Sequence, residues 1–96
     1  MTHLKLSEAI REGAKLRPQG FDAFFQTKDD GVRCSCALGA AFEAMTGMDD
    51  YWAGDHTLRE LFPTVPVDVF TNITAMNDAS LLSREEIADQ VEAWGY

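Results

Sequence analysis

The chain has 96 residues, 46% of them hydrophobic and 25% charged, with two cysteines and a net charge of −8. That length supports one core and not two, two cysteines are too few for a disulfide framework, and no run of about 18 apolar residues is present to span a bilayer. The first residues, Met1 to Glu8, hold no apolar signal core, so one cytoplasmic domain over residues 1–96 is expected.

In chain order, Leu6, Ala9, Ile10, Gly13 and Leu16 recur at helical spacing and predict a first helix from 4–7 to Leu16. Glu8 and Glu12 lie early and Lys15 and Arg17 late, as the helix dipole favours, and Pro18 and Gly20 end the run. Phe21, Phe24 and Phe25 follow, then a turn signal closed by Asp30-Gly31. Residues 23–27 and 31–35 can pair around that turn as a short hairpin, an open option because two strands alone are marginal. A second helix is expected over Cys36–Met45, with Ser35 as N-cap and Gly47 as C-cap. Glu43 is its only charge, and a helix apolar nearly all round lies centrally. Cys36, Ala40 and Ala44 form a small-residue stripe. Gly39 costs about 1 kcal/mol of helix propensity against Ala, which makes sense where another backbone passes close.

Residues 48–56 read as a loop. Thr57 and Glu60 have the spacing of a capping box that opens a short helix stopped by Pro63. Over 65–77, Val69, Phe70, Ile73 and Met76 have helical spacing, while Val67, Val69, Thr71 and Ile73 alternate like a strand. The length of the run decides for a helix, with Pro66 in its first turn. Ser83 and Glu86 make a second capping box, flanked by Leu82 and Ile87 at hydrophobic-staple positions. Ile87, Ala88, Val91 and Trp94 then form one apolar stripe that Gly95 ends. The expected fold is mainly α, a compact bundle of four to five short helices around a buried central helix, with the hairpin left open.

The run Cys36-Ala37-Leu38-Gly39-Ala40, followed by Ile73, the pair Asn77-Asp78 and a capped helix carrying Ile87-Ala88, resembles a group of short uncharacterised bacterial and phage-encoded proteins. That group, a domain of unknown function, shares a C-A-L-G-A helix and a later Asn-Asp pair, and the resemblance covers residues 31–91. It implies a compact helical domain and a genome neighbourhood with mobile elements. It brings no activity, cofactor or catalytic residue, and the segment 49–56 has no match in its pattern.

Cys34 and Cys36 are the thiol candidates, as nucleophile, redox switch or metal ligands. Cys36 opens a helix, where the dipole lowers a thiol pKa; the plainer reading is a small packing residue. A bridge across Ser35 would close almost no loop, so both are expected reduced. A zinc site would need His3 and His56 to converge on both thiols, and neither metal nor cofactor is expected. His56 stands beside Asp55, which could orient it as a general base, but no nucleophile lies at a recognisable spacing. Asn77-Asp78 either terminates a helix or forms a buried polar pair bonded to another segment such as the start of the second helix; both roles are structural.

Charge is unevenly placed. Residues 1–48 carry six basic and six acidic residues, whereas 49–96 carry ten acids against Arg59 and Arg84. Such a field repels nucleic-acid phosphates and attracts a basic protein. Asp49, Asp50, Tyr51, Trp52, Asp55 and His56 are the partner-binding candidates, since aromatic anchors among acids suit an interface. The function expected is a non-enzymatic protein-interaction module, a phage or mobile-element accessory factor, acting as a monomer or small homo-oligomer. The alternatives are a small thiol-dependent enzyme or redox sensor using Cys34 or Cys36, and a small structural zinc domain.

Overall fold

The computed structural model describes residues 4–49 and 56–96. Over these the chain forms α1 (Leu6–Ala14), β1 (Phe25–Thr27), β2 (Arg33–Ser35), α2 (Ala37–Thr46), α3 (His56–Leu61), α4 (Val67–Asp78) and α5 (Arg84–Ala93). The fold is mainly α with one small antiparallel hairpin, and among the described residues no helix is long and apolar enough to cross a membrane.

Helix α2 is central because its sequence leaves it almost no polar face: every residue from Ala37 to Glu43 is buried. Helix α1 packs on one side of it. Gly13 makes the close approach possible, since a Cβ there would overlap the carbonyl of Ala40. On another side the chain before β1 crosses α2 at Gly39, where a Cβ would overlap the carbonyl of Phe24. The close passage of a second backbone at Gly39 is therefore real, and the neighbour is a loop segment. Helix α5 lies against α1 and α4, and α4 also packs on α2. Leu6, Ile10, Leu38, Phe42, Leu58, Phe62, Ile73, Ile87 and Val91 fill the space between.

The hairpin exists, with shorter strands than 23–27 and 31–35. Phe25 pairs with Ser35, Gln26 with Cys34 and Thr27 with Arg33, and Gly31 turns the chain at φ 86°, which a residue without Cβ adopts freely. Two such strands do not stand alone here. Ser35 N–H donates to Pro18 O (3.0 Å) and Gly20 N–H to Ser35 O (2.8 Å), adding a third line of backbone pairing. Phe25 meets the ring of Phe42 edge-on at 6.3 Å between centroids.

Several helix ends depart from expectation. Cys36, not Ser35, caps α2, its sulfur accepting from Gly39 N–H at 3.4 Å; Ser35 is held in β2 by its ladder. Gly47 closes α2 in the left-handed region at φ 75°. Helix α1 stops at Ala14, so Leu16 leaves the stripe and stands 56% exposed. Helix α3 begins at His56, which places Thr57 inside the first turn and not at the cap that the Thr57–Glu60 spacing predicts. Pro66 is the N-cap of α4 and lies just outside the first turn. The Ser83–Glu86 capping box forms as read, with Glu86 N–H on Ser83 Oγ (3.1 Å) and Ser83 N–H on Glu86 Oε1 (3.0 Å). Trp94 is the C-cap of α5 and is exposed, outside the buried stripe of Ile87, Ala88 and Val91.

Candidate functional site

The last turn of α4 carries Asn77 into the interior, where it is 1% exposed. Its Oδ1 accepts from Ala37 N–H (3.2 Å) and from Gln19 Nε2 (2.9 Å), and its Nδ2 donates to Gly20 O (3.0 Å) and Asp78 Oδ1 (2.7 Å). Ala37 N–H is one of the unpaired donors that open α2, so a side chain from another helix finishes what the Cys36 sulfur begins. Asp78 Oδ1 also accepts from Asp22 N–H (3.0 Å). Of the two readings open for Asn77-Asp78, these bonds are those of a polar pair tied to the start of the second helix, with Asn77 buried and Asp78 half-buried.

Around this network lies a cleft of about 150 Å³ between residues 22–24, the start of α2 and α4. Phe24, Leu38 and Ile73 make apolar walls, Cys36 and Asn77 are buried in it, and Asp22, Thr74 and Asp78 are its more open members. Cys36, Asn77 and Asp78, singled out separately in the sequence, thus share one site.

The chemistry of Cys36 differs from that of a helix-activated thiolate. Burial pushes its thiol up, the nearby Asp78 carboxylate adds to that, and the N–H groups of Gly39 and Leu38 only partly oppose it. Desolvation outweighs the helix dipole, so the thiol is protonated at neutral pH. Cys34 is fully buried in β2, and both cysteines are free. Among the described residues no group of three or more His, Cys, Asp or Glu could hold a metal ion.

Two arginines have roles that sequence reading did not assign. Arg84, 6% exposed, donates from Nη1 to Ser35 Oγ (2.9 Å) and Ser35 O (3.3 Å), and from Nη2 to Arg17 O (2.7 Å) and Ala14 O (3.3 Å). It satisfies carbonyls left over at the end of α1 and fixes β2, and burial draws its pKa down. The available signal was its place as the first residue of α5, where the dipole disfavours a cation. Arg17 forms a fork on Glu43, with Nε–Oε1 and Nη2–Oε2 both at 2.8 Å. The bonds to Glu43 raise the Arg17 pKa against the opposing pull of burial, and they account for the one carboxylate buried in α2.

Of the expected partner-binding segment, Asp49 faces bases of its own chain. Its carboxylate lies 3.5 Å from Arg17 and 4.0 Å from Arg33, and its carbonyl accepts from Arg33 Nη2 at 2.7 Å. His56 is the first residue of α3. Asp50, Tyr51, Trp52 and Asp55 lie outside the described residues, as does His3. Comparison with protein-family models, with curated proteins and with solved structures finds no match to this chain.

Proposed function

We propose that this protein is a non-enzymatic interaction module that docks a basic protein surface against the acidic second half of its chain. The burial of Arg84 carries this reading. Of the two bases after Met48, one is withdrawn into the interior, which leaves Arg59 beside exposed Glu60, Asp68, Glu85, Glu86, Asp89 and Glu92 among the described residues. Arg11 reaches Asp89 (2.7 Å) and Glu92 (2.6 Å), so the acids outside that ion pairing include Glu60, Asp68 and Glu85. A field of one sign draws a basic partner and repels phosphate-rich nucleic acid. The protonated state of Cys36 also favours a binding role over thiol chemistry. The resemblance to phage-encoded proteins adds an accessory role in a mobile element, carried out in the cytoplasm as a monomer or small homo-oligomer.

The test is affinity capture from host extract with the wild type and with a variant carrying Asp68→Lys and Glu85→Lys. A basic protein retained by the wild type, released by moderate salt and lost from the variant is the expected outcome. Retention of the same proteins by both forms, independent of salt, would overturn the reading.

A further inference from the structure

We propose that the cleft between residues 22–24, α2 and α4 anchors the partner that the acidic second half attracts. It takes one apolar side chain from a segment of the basic partner, whose neighbouring lysine or arginine pairs with Asp22 and Asp78. This rests on the reading of an acidic interaction module and adds where and how the partner is held.

Three features select that occupant. The first is size and lining: about 150 Å³ walled by Phe24, Leu38 and Ile73 is the size of cavity that accepts a benzene-sized group. The second is charge at the mouth. The Asp22 carboxylate is exposed and has no hydrogen bond or ion pair among the described residues. Asp78 uses Oδ1 for Asp22 N–H and Asn77 Nδ2, and its Oδ2 has no partner among the described residues. No lining residue is basic. An uncharged apolar ligand would leave both carboxylates unanswered and an anion would be repelled, whereas a cation beside an apolar side chain satisfies walls and mouth together. The third is rigidity. Asp22 is held at φ 65° by its bond to Asp78, and the carbonyl of Phe24 accepts from Cys36 N–H at 3.1 Å. A preformed cleft binds without an ordering cost of its own. Phe21, next to Asp22 and 36% exposed, extends the apolar surface beyond the rim.

The experiment uses the isotope-labelled protein at low salt, titrated with a peptide of four lysines around a central leucine while amide shifts are followed by NMR. Two further peptides replace the leucine by alanine, or the lysines by glutamate. Saturable shifts are expected at the amides of residues 22–24, 37, 38, 74 and 78. The alanine peptide should bind about tenfold more weakly, the loss expected for an unburied leucine, and the glutamate peptide should not bind. Thr74→Leu fills the mouth and should abolish binding. The Thr74 hydroxyl donates only within its own helix, to Phe70 O at 3.2 Å, so the fold is expected to persist, and a melting curve checks this. Ala23→Leu, at an exposed position of the lining, serves as a second plug. Asp22→Asn should weaken binding several-fold at low salt and little at high salt. Equal binding of the leucine and alanine peptides, with shifts elsewhere on the acidic surface, would overturn the cleft and leave the interaction module standing. Absence of saturable shifts with either lysine peptide would overturn both.

Discussion

Asn77 shows how much a single amide can hold. It joins α4 to the first turn of α2 and to the segment at Gln19 and Gly20. Asn77→Ala strands Ala37 N–H and Gly20 O in the interior, so a loss of about 2–4 kcal/mol is expected; urea unfolding measures it, and a loss below about 0.5 kcal/mol, the size of an ordinary surface change, would show that water or a rearrangement replaces the amide. At Cys36 the folded pKa lies above the unfolded one. Stability from this group is full below the unfolded thiol pKa and declines as pH rises from there toward the folded value. The wild type should therefore lose stability above about pH 8.5 by more than Cys36→Ala does. Parallel pH profiles of the two proteins would refute this. Sequence reading could name Asn77 and Cys36 and offer the start of α2 as a partner for the first, but not the bonds to Gln19 and Gly20, 58 and 57 positions away, nor the desolvation of the thiol. For Arg84 the one sign was its place as the first residue of α5, where the dipole disfavours a cation; a lone arginine on an acidic helix otherwise reads as a solvated charge.

At the scale of elements, two opposing effects meet at Gly39. Helix propensity predicts that Gly39→Ala stabilises α2 by about 1 kcal/mol. The overlap of a Cβ with the Phe24 carbonyl predicts a loss of about 1–3 kcal/mol, because a backbone cannot swing aside like a side-chain tip. The second effect is expected to win, and a higher melting temperature in the variant would refute the close crossing. Leu81 offers the reverse case. It holds φ 55° beyond the end of α4 while 67% exposed, a conformation that suits glycine. Leu81→Gly is expected to leave stability unchanged or raise it by up to about 1 kcal/mol, as thermal melting will show. Helix existence was legible because periodicity of apolar residues and the Ser83–Glu86 box are local signals. The end of α1 and the starts of α2 and α3 were not: at α2 the β2 ladder took Ser35 and left Cys36 as the cap, whereas Gly47 closes that helix as its sequence predicts.

For the whole molecule, a net charge of −8 makes the folded surface repel itself. Raising ionic strength from about 0.01 M to 0.15 M shortens the screening length from about 30 Å to 8 Å, so the melting temperature is expected to rise; a fall would mean that ion pairs such as Arg11 with Asp89 and Glu92 dominate. The charge asymmetry behind this was plain in the sequence, whereas the cleft was not, since its walls come from three separated segments. Arg84 has a kinetic consequence as well. The carbonyls of Ala14 and Arg17 receive their hydrogen bonds from a residue about seventy positions later, and Ser7 N–H is paired with Tyr96 O at 3.3 Å. On a ribosome, α1 emerges before α5 and must wait for it before its end is sealed. Such long-range closure raises contact order and slows folding. It also links the two helices in one cooperative unit, so their slowest-exchanging amides should share a single opening free energy in native-state hydrogen exchange.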